Sequence, residues 1–185
     1  MIRIRMTTGG ALALLLVLGA CDQKAGEAAP KTEAAQEAAG KSTLADGLGD
    51  ASKFTAAAKA AGLDGTLAGP GPYTVLVPSD AAFDKLPAGA LDGLMKEDAR
   101  AELTGVLTYH ILPGTILAAD IGKAIDAGKG KALLATMAGG TLTATRDGKD
   151  IIISDAAGTK ARITGADEEK SNGIIHRIDA VLMPS

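Results

Sequence analysis

The chain has 185 residues, with 19 basic and 22 acidic side chains, a net charge of −3, no tryptophan and 2% aromatic residues. That balance, without any basic run, argues against nucleic acid as a partner, and so few aromatic rings make a poor stacking platform for sugars or bases. A single cysteine, Cys21, rules out an intramolecular disulfide and any cysteine-based metal site.

Arg3 and Arg5 precede an uncharged apolar run from Gly9 to Ala20, the layout of an export signal. At about 12 residues that run would reach only about 18 Å as a helix, against roughly 30 Å for a bilayer core. A permanent transmembrane helix is therefore not expected. Leu18-Gly19-Ala20-Cys21 resembles the bacterial lipobox, which implies cleavage before Cys21 and a lipid on its sulfur. Residues 1–20 are expected to be a lipoprotein signal peptide, and several acyl chains on one terminus exceed what stable anchoring needs. Residues 21–42 read as a lipidated flexible tether: beyond Cys21 they are mainly Ala, Glu, Lys, Gln and Gly with Pro30, too little apolar surface to order the segment. A coil of about 20 residues has a typical span of roughly 25 Å.

Residues 43–185 suit one domain that buries about two-thirds of its unfolded surface. A helix is predicted from Ser52, which can cap it, with Phe54, Ala57, Ala58 and Ala61 on one face and Gly62 at its end. Gly69-Pro70-Gly71-Pro72 breaks the chain before a buried strand, Tyr73 to Val77, that Pro78 stops. Ser79 or Asp80 would cap a short helix carrying Phe83 and Leu86. Asp98 would cap another, whose face is Leu103, Val106, Leu107 and His110 and which Pro113-Gly114 ends; a further short helix carries Ile121 and Ile125. Strands follow at Leu133 to Met137, Thr141 to Thr145 and Ile151 to Ile153, joined by turns at Gly139-Gly140 and Asp147-Gly148. A weaker strand is predicted at Arg162 to Thr164 and a long final one from Ile174 to Leu182. Helices first and strands later indicate an α+β fold with segregated layers.

Three stretches carry a resemblance to the fasciclin-like domain family. The first is Thr74 to Phe83 (TVLVPSDAAF) with Leu86-Pro87, resembling the family's N-terminal box and including Thr74, Pro78, Ser79, Asp80 and Phe83. The second is Tyr109-His110, and the third is Ser171 to Pro184, including Asn172, Gly173, His176 and Asp179. Leu76 departs from the pattern, in which an aromatic is common there. The resemblance implies a wedge-shaped β-sandwich with helices packed at one side and a secreted or surface-anchored adhesion module. It implies no catalysis and no cofactor. There is no Arg-Gly-Asp tripeptide, and Arg146-Asp147-Gly148 reads as a hairpin turn, so integrin-type recognition is not carried over.

The two histidines, His110 and His176, are the tempting catalytic or metal candidates, yet both fall on apolar faces, and a buried imidazole needs a hydrogen-bond partner more than a substrate. A zinc site would have to recruit aspartates such as Asp80 or Asp179 from separate segments, with no ligand spacing to support it. Ser79 lacks a Gly-x-Ser-x-Gly elbow and stands where a cap is expected. Asp167-Glu168-Glu169 reads as a solvated loop. No catalytic and no metal residue is assigned. The binding candidates are Tyr109, His110, Ile111 and Leu112, with the competing reading that they are core. The function expected is that of a non-catalytic cell-envelope lipoprotein binding an envelope protein or a surface polymer. The alternatives are a small-ligand carrier, which needs an enclosed apolar pocket, and a hydrolase.

Overall fold

The computed structural model describes residues 42–184; Cys21 and the expected signal peptide and tether lie outside the described residues. A 3-10 turn at Asp46–Leu48 leads into helix α1 (Ser52–Ala61), whose buried residues are Phe54, Ala57, Ala58 and Ala61, the face that periodicity predicts. Gly62 ends it in the left-handed conformation at φ 75°, its N–H donating back to the carbonyls of Ala58 and Lys59. Short α2 (Asp64–Ala68) precedes strand β1 (Tyr73–Pro78). Helices α3 (Asp80–Phe83) and α4 (Ala90–Leu94) follow, then a 3-10 turn at Glu97–Ala99 and α5 (Arg100–Tyr109).

Two expectations about this stretch are corrected. Ser52 does not cap α1: the N-terminus is held by Asp80, which accepts from Ser52 Oγ at 2.5 Å and from the Lys53 N–H at 2.9 Å. Asp98 does not cap α5 either, because it sits inside the 3-10 turn, and Ala99 takes the cap position without a side-chain bond.

After α5 the chain forms strand β2 (Ile111–Pro113), helix α6 (Ala118–Ala127) and strands β3 (Ala132–Ala135), β4 (Thr141–Asp147), β5 (Asp150–Ser154), β6 (Lys160–Lys170) and β7 (Gly173–Ile178). The seven strands make one mixed sheet in the order β2-β1-β7-β6-β5-β4-β3. Only β1 and β7 run parallel, in register from Tyr73 against Gly173 to Pro78 against Ile178. The first half of β6 pairs with β5 and the second with β7, across register shifts between Ile163, Gly165 and Glu168 that turn the sheet sharply. Beyond β3, the Met137 N–H donates to the Ile111 carbonyl at 2.8 Å, so the two ends of the sheet nearly close into a barrel. The expected two-layer sandwich is thus replaced by a single curled sheet with helices beside it, because β6 bends through both halves instead of ending in one.

The core has two parts that share β1. Val75 and Val77 pack with α1, α5 and Ile175 beside the helices, while Leu76 packs inside the curled sheet with Leu142, Ile153, Ile178 and Leu182. The central strands β1 and β7 are therefore apolar on both faces, as parallel neighbours covered on both sides must be.

Candidate functional site

The three motif stretches converge through β1 and β7. Thr74, 1% exposed, donates its hydroxyl to the Gly114 carbonyl at 2.8 Å and accepts from the Ile116 N–H at 2.9 Å, fixing the loop after β2. Pro78 closes β1, and Ser79 caps α3 by accepting from the Ala82 N–H at 3.2 Å. Both oxygens of Asp80 are engaged at the start of α1, and the Ser52 hydroxyl, then the Lys53 N–H, hold its carboxyl below the usual carboxylate range. Phe83 is buried beside Leu86 in the helical part of the core.

At the other end of the strands, Asn172 ties three segments together. Its Oδ1 accepts from the Leu44 N–H at 2.7 Å, and its Nδ2 donates to the carbonyls of Leu67 at 2.9 Å and Gly69 at 2.7 Å. Gly173 is a matter of space: a Cβ there would lie 2.0 Å from the Tyr73 carbonyl oxygen. Asp179 accepts from the Arg162 N–H at 2.7 Å, and its own carbonyl accepts from Lys85 Nζ at 2.6 Å.

The histidines are both buried, and each ring has both nitrogens occupied. His110 Nδ1 donates to the Val106 carbonyl at 2.8 Å, and Nε2 accepts from the Leu182 N–H at 3.1 Å. His176 has the opposite tautomer: Nδ1 accepts from the Asp167 N–H at 3.2 Å, and Nε2 donates to the Ile116 carbonyl at 2.8 Å. Each imidazole bridges a donor and an acceptor of the backbone. Burial pushes His110 down to about 4, against weaker opposing effects of the Val106 carbonyl and Asp155. Its ring also meets Phe54 edge-on, with centroids 6.2 Å apart.

The binding candidates Tyr109, His110, Ile111 and Leu112 are all buried. The Tyr109 hydroxyl donates to the Thr141 carbonyl at 3.2 Å, and burial raises its pKa. These four side chains join α5 to the far end of the curled sheet and do not face solvent.

One polar position, Asp155, is not singled out by the sequence, and one acidic stretch is placed differently from its reading there. Asp155, buried after β5, accepts from the N–H groups of Thr159 at 2.8 Å and Met183 at 2.9 Å, holding the C-terminal segment down. Its turn to Thr159 is local, but its hold on Met183, 28 residues away, has no local mark. The stretch read as a solvated acidic loop belongs to β6 instead. Glu168 makes a paired contact with Arg177 at 2.9 and 3.0 Å, and Arg177 also donates to the Gly47 carbonyl at 2.8 Å. Backbone pairing of Glu168 with Ile175 and Glu169 with Ile174 carries that run into the sheet, and the hydrogen bonds from Arg177 hold the Glu168 carboxyl below its ordinary range.

Among the described residues, no group of three or more His, Cys, Asp or Glu is placed to hold a metal ion, and no buried side-chain nitrogen or oxygen lacks a partner. A groove of about 520 Å³ beside α4 and α5, lined by Ala90, Leu94, Lys96, Glu102 and Met183 among others, opens to solvent and does not enclose a ligand. No helix among the described residues is long and apolar enough to cross a membrane.

Comparison with known proteins gives a consistent picture. The model of the fasciclin domain matches residues 49–184. Protein sll1483 of Synechocystis is 39% identical over 134 residues, covering 72% of this chain and 67% of the relative. The cell surface glycolipoprotein MPB83 of Mycobacterium bovis is 34% identical over 114 residues, covering 62% of this chain and 44% of that protein. Among solved structures, a domain pair from the insect cell adhesion molecule Fasciclin I superposes with a TM-score of 0.67 at 21% identity, covering 76% of this chain and 50% of the pair. The chain thus spans about half the length of the last two.

Proposed function

From the premise that the chain belongs to the fasciclin domain family, we propose that it is a non-catalytic lipoprotein of the cell envelope, anchored through Cys21, whose domain binds a protein or a surface polymer. The observation that carries this reading is the employment of the motif side chains. His110, His176, Ser79, Asp80 and Asn172 all spend their hydrogen bonds on backbone or capping groups, which leaves none of these five motif side chains free to act as a nucleophile or general base. A surface supported by such a scaffold can recognise a partner without doing chemistry on it.

Two relatives support the setting: one is named as a cell surface glycolipoprotein and another as a cell adhesion molecule. The lipobox at Leu18 to Cys21 supplies the means of anchoring. The carrier reading is less well supported, because the groove beside α4 and α5 is open and bordered by Lys96, Asp98 and Glu102.

Crosslinking in intact cells, followed by identification of what is captured, tests the proposal. The expected result is a defined envelope protein or polymer recovered with the wild-type chain. Turnover of a defined compound by the purified protein, lost when either histidine is replaced while the fold survives, would overturn it.

A further inference from the structure

Strand β3 and its flanks have a regular alternation: Ala132, Leu134 and Thr136 are buried, while Lys131, Leu133, Ala135 and Met137 are exposed. Period-2 geometry puts the second set on one face. Leu133 is 74% exposed and Met137 43%, two of the three large apolar side chains left in solvent among the described residues. Across from them on β4 stand Thr143 opposite Leu133 and Thr141 opposite Ala135, whose methyl groups extend the strip without adding charge. At its approach lie Lys129 and Lys131, both exposed. No described ion pair engages either lysine, whereas Arg146 on β4 and Arg162 on β6 are both paired with aspartates.

A narrow apolar strip next to two unneutralised cations has the chemistry of an interface with anionic lipid. We propose that this face of β3 rests on the headgroup region of the membrane that holds the anchor. Leu133 and Met137 enter the acyl boundary, and Lys129 and Lys131 reach lipid phosphates by extending their stems along the apolar strip. The inference rests on the lipid at Cys21. An anchor only about 20 residues before the domain would keep it at high effective concentration beside the bilayer, so a contact too weak for a free protein would suffice here. A second copy of the chain is a poorer occupant, since an isologous contact would bring the same pair of lysines to both sides of a small strip.

The absence of tryptophan from the sequence supplies the test. Single reporters L133W and M137W, with K59W on the exposed side of α1 as reference, are introduced into the lipidated full-length mature protein and reconstituted in phosphatidylcholine–phosphatidylglycerol vesicles carrying acyl-brominated lipid. Circular dichroism checks each fold, and two independent sites cover the failure of either. The expected result is quenching of L133W and M137W at least twofold stronger than that of K59W, reduced in pure phosphatidylcholine or when K129E and K131E are added. Quenching no stronger than in K59W, in protein that still floats with the vesicles, overturns the proposal. So does an emission change that follows protein density rather than bromination, which marks contact between copies. If the purified chain carries no acyl mass on Cys21, the anchoring reading itself fails and this inference fails with it.

Discussion

His110 shows how a residue that looks chemical is used structurally. Its ring replaces a missing backbone connection between Val106 and Leu182, and it stays neutral because a proton on Nε2 would face the Leu182 N–H instead of accepting from it. Its pKa falls from 6.5 to about 4. In the unfolded chain the imidazole takes up a proton as pH drops through its ordinary value, while the folded ring resists until near 4. The unfolded state therefore binds more protons across that window, and stability declines as pH falls, by up to about 3 kcal/mol. Urea unfolding of the wild type and of His110→Gln between pH 7 and pH 4 isolates the effect, because the depressed carboxylates are common to both. The variant is expected to be less stable at pH 7 and to have a flatter pH dependence; the same slope in both proteins would contradict the neutral buried ring. That both histidines are buried on apolar faces was legible from spacing alone. Their backbone partners were not, since Ile116 lies 60 residues from His176 and Leu182 lies 72 from His110.

Among the elements, those with strong periodicity were legible and those set by distant partners were not. The apolar face of α1, its glycine end, β1, the Ser79 cap and α6 follow from local pattern. Strand β2 was hidden because Val106 to Leu112 is a nearly continuous apolar run, and a helix that turns into a three-residue strand at His110 has no local signature. Strand β6 was read as far shorter than its 11 residues, since two register shifts and Asp167 at φ 58° break the alternation that would reveal it. The final strand stops at Ile178 instead of reaching Leu182, where the chain leaves the sheet to be held by His110 and Asp155. Asn172 illustrates the coupling of elements most simply, joining the N-terminal turn, the end of α2 and the start of β7. Replacing it with alanine removes three hydrogen bonds and should cost roughly 3 kcal/mol, with Asn172→Asp intermediate because it keeps the acceptor for Leu44 but loses both donations. Equilibrium denaturation reads this directly; a loss below about 1 kcal/mol would mean that water replaces these bonds without penalty.

For the whole molecule, the decisive feature is that β1 serves two cores at once, with Val75 and Val77 turned to the helices and Leu76 to the interior of the curled sheet. The motif residues cluster around this strand and its parallel neighbour β7, which accounts for their role as scaffold. The class of fold was readable in advance as helices and strands in separate regions. The closure was not, because it depends on β6 bending through the sheet and on a single bond from Met137 to Ile111. Function, on this reading, belongs to the surface of a domain kept at a membrane, and the test lies in the sulfur of Cys21. Mass spectrometry of the N-terminal peptide from the membrane fraction should find a chain that begins at Cys21 and carries acyl groups, and Cys21→Ser should move the protein to the soluble fraction. An unmodified cysteine, or a serine variant that stays with the membrane, would contradict it.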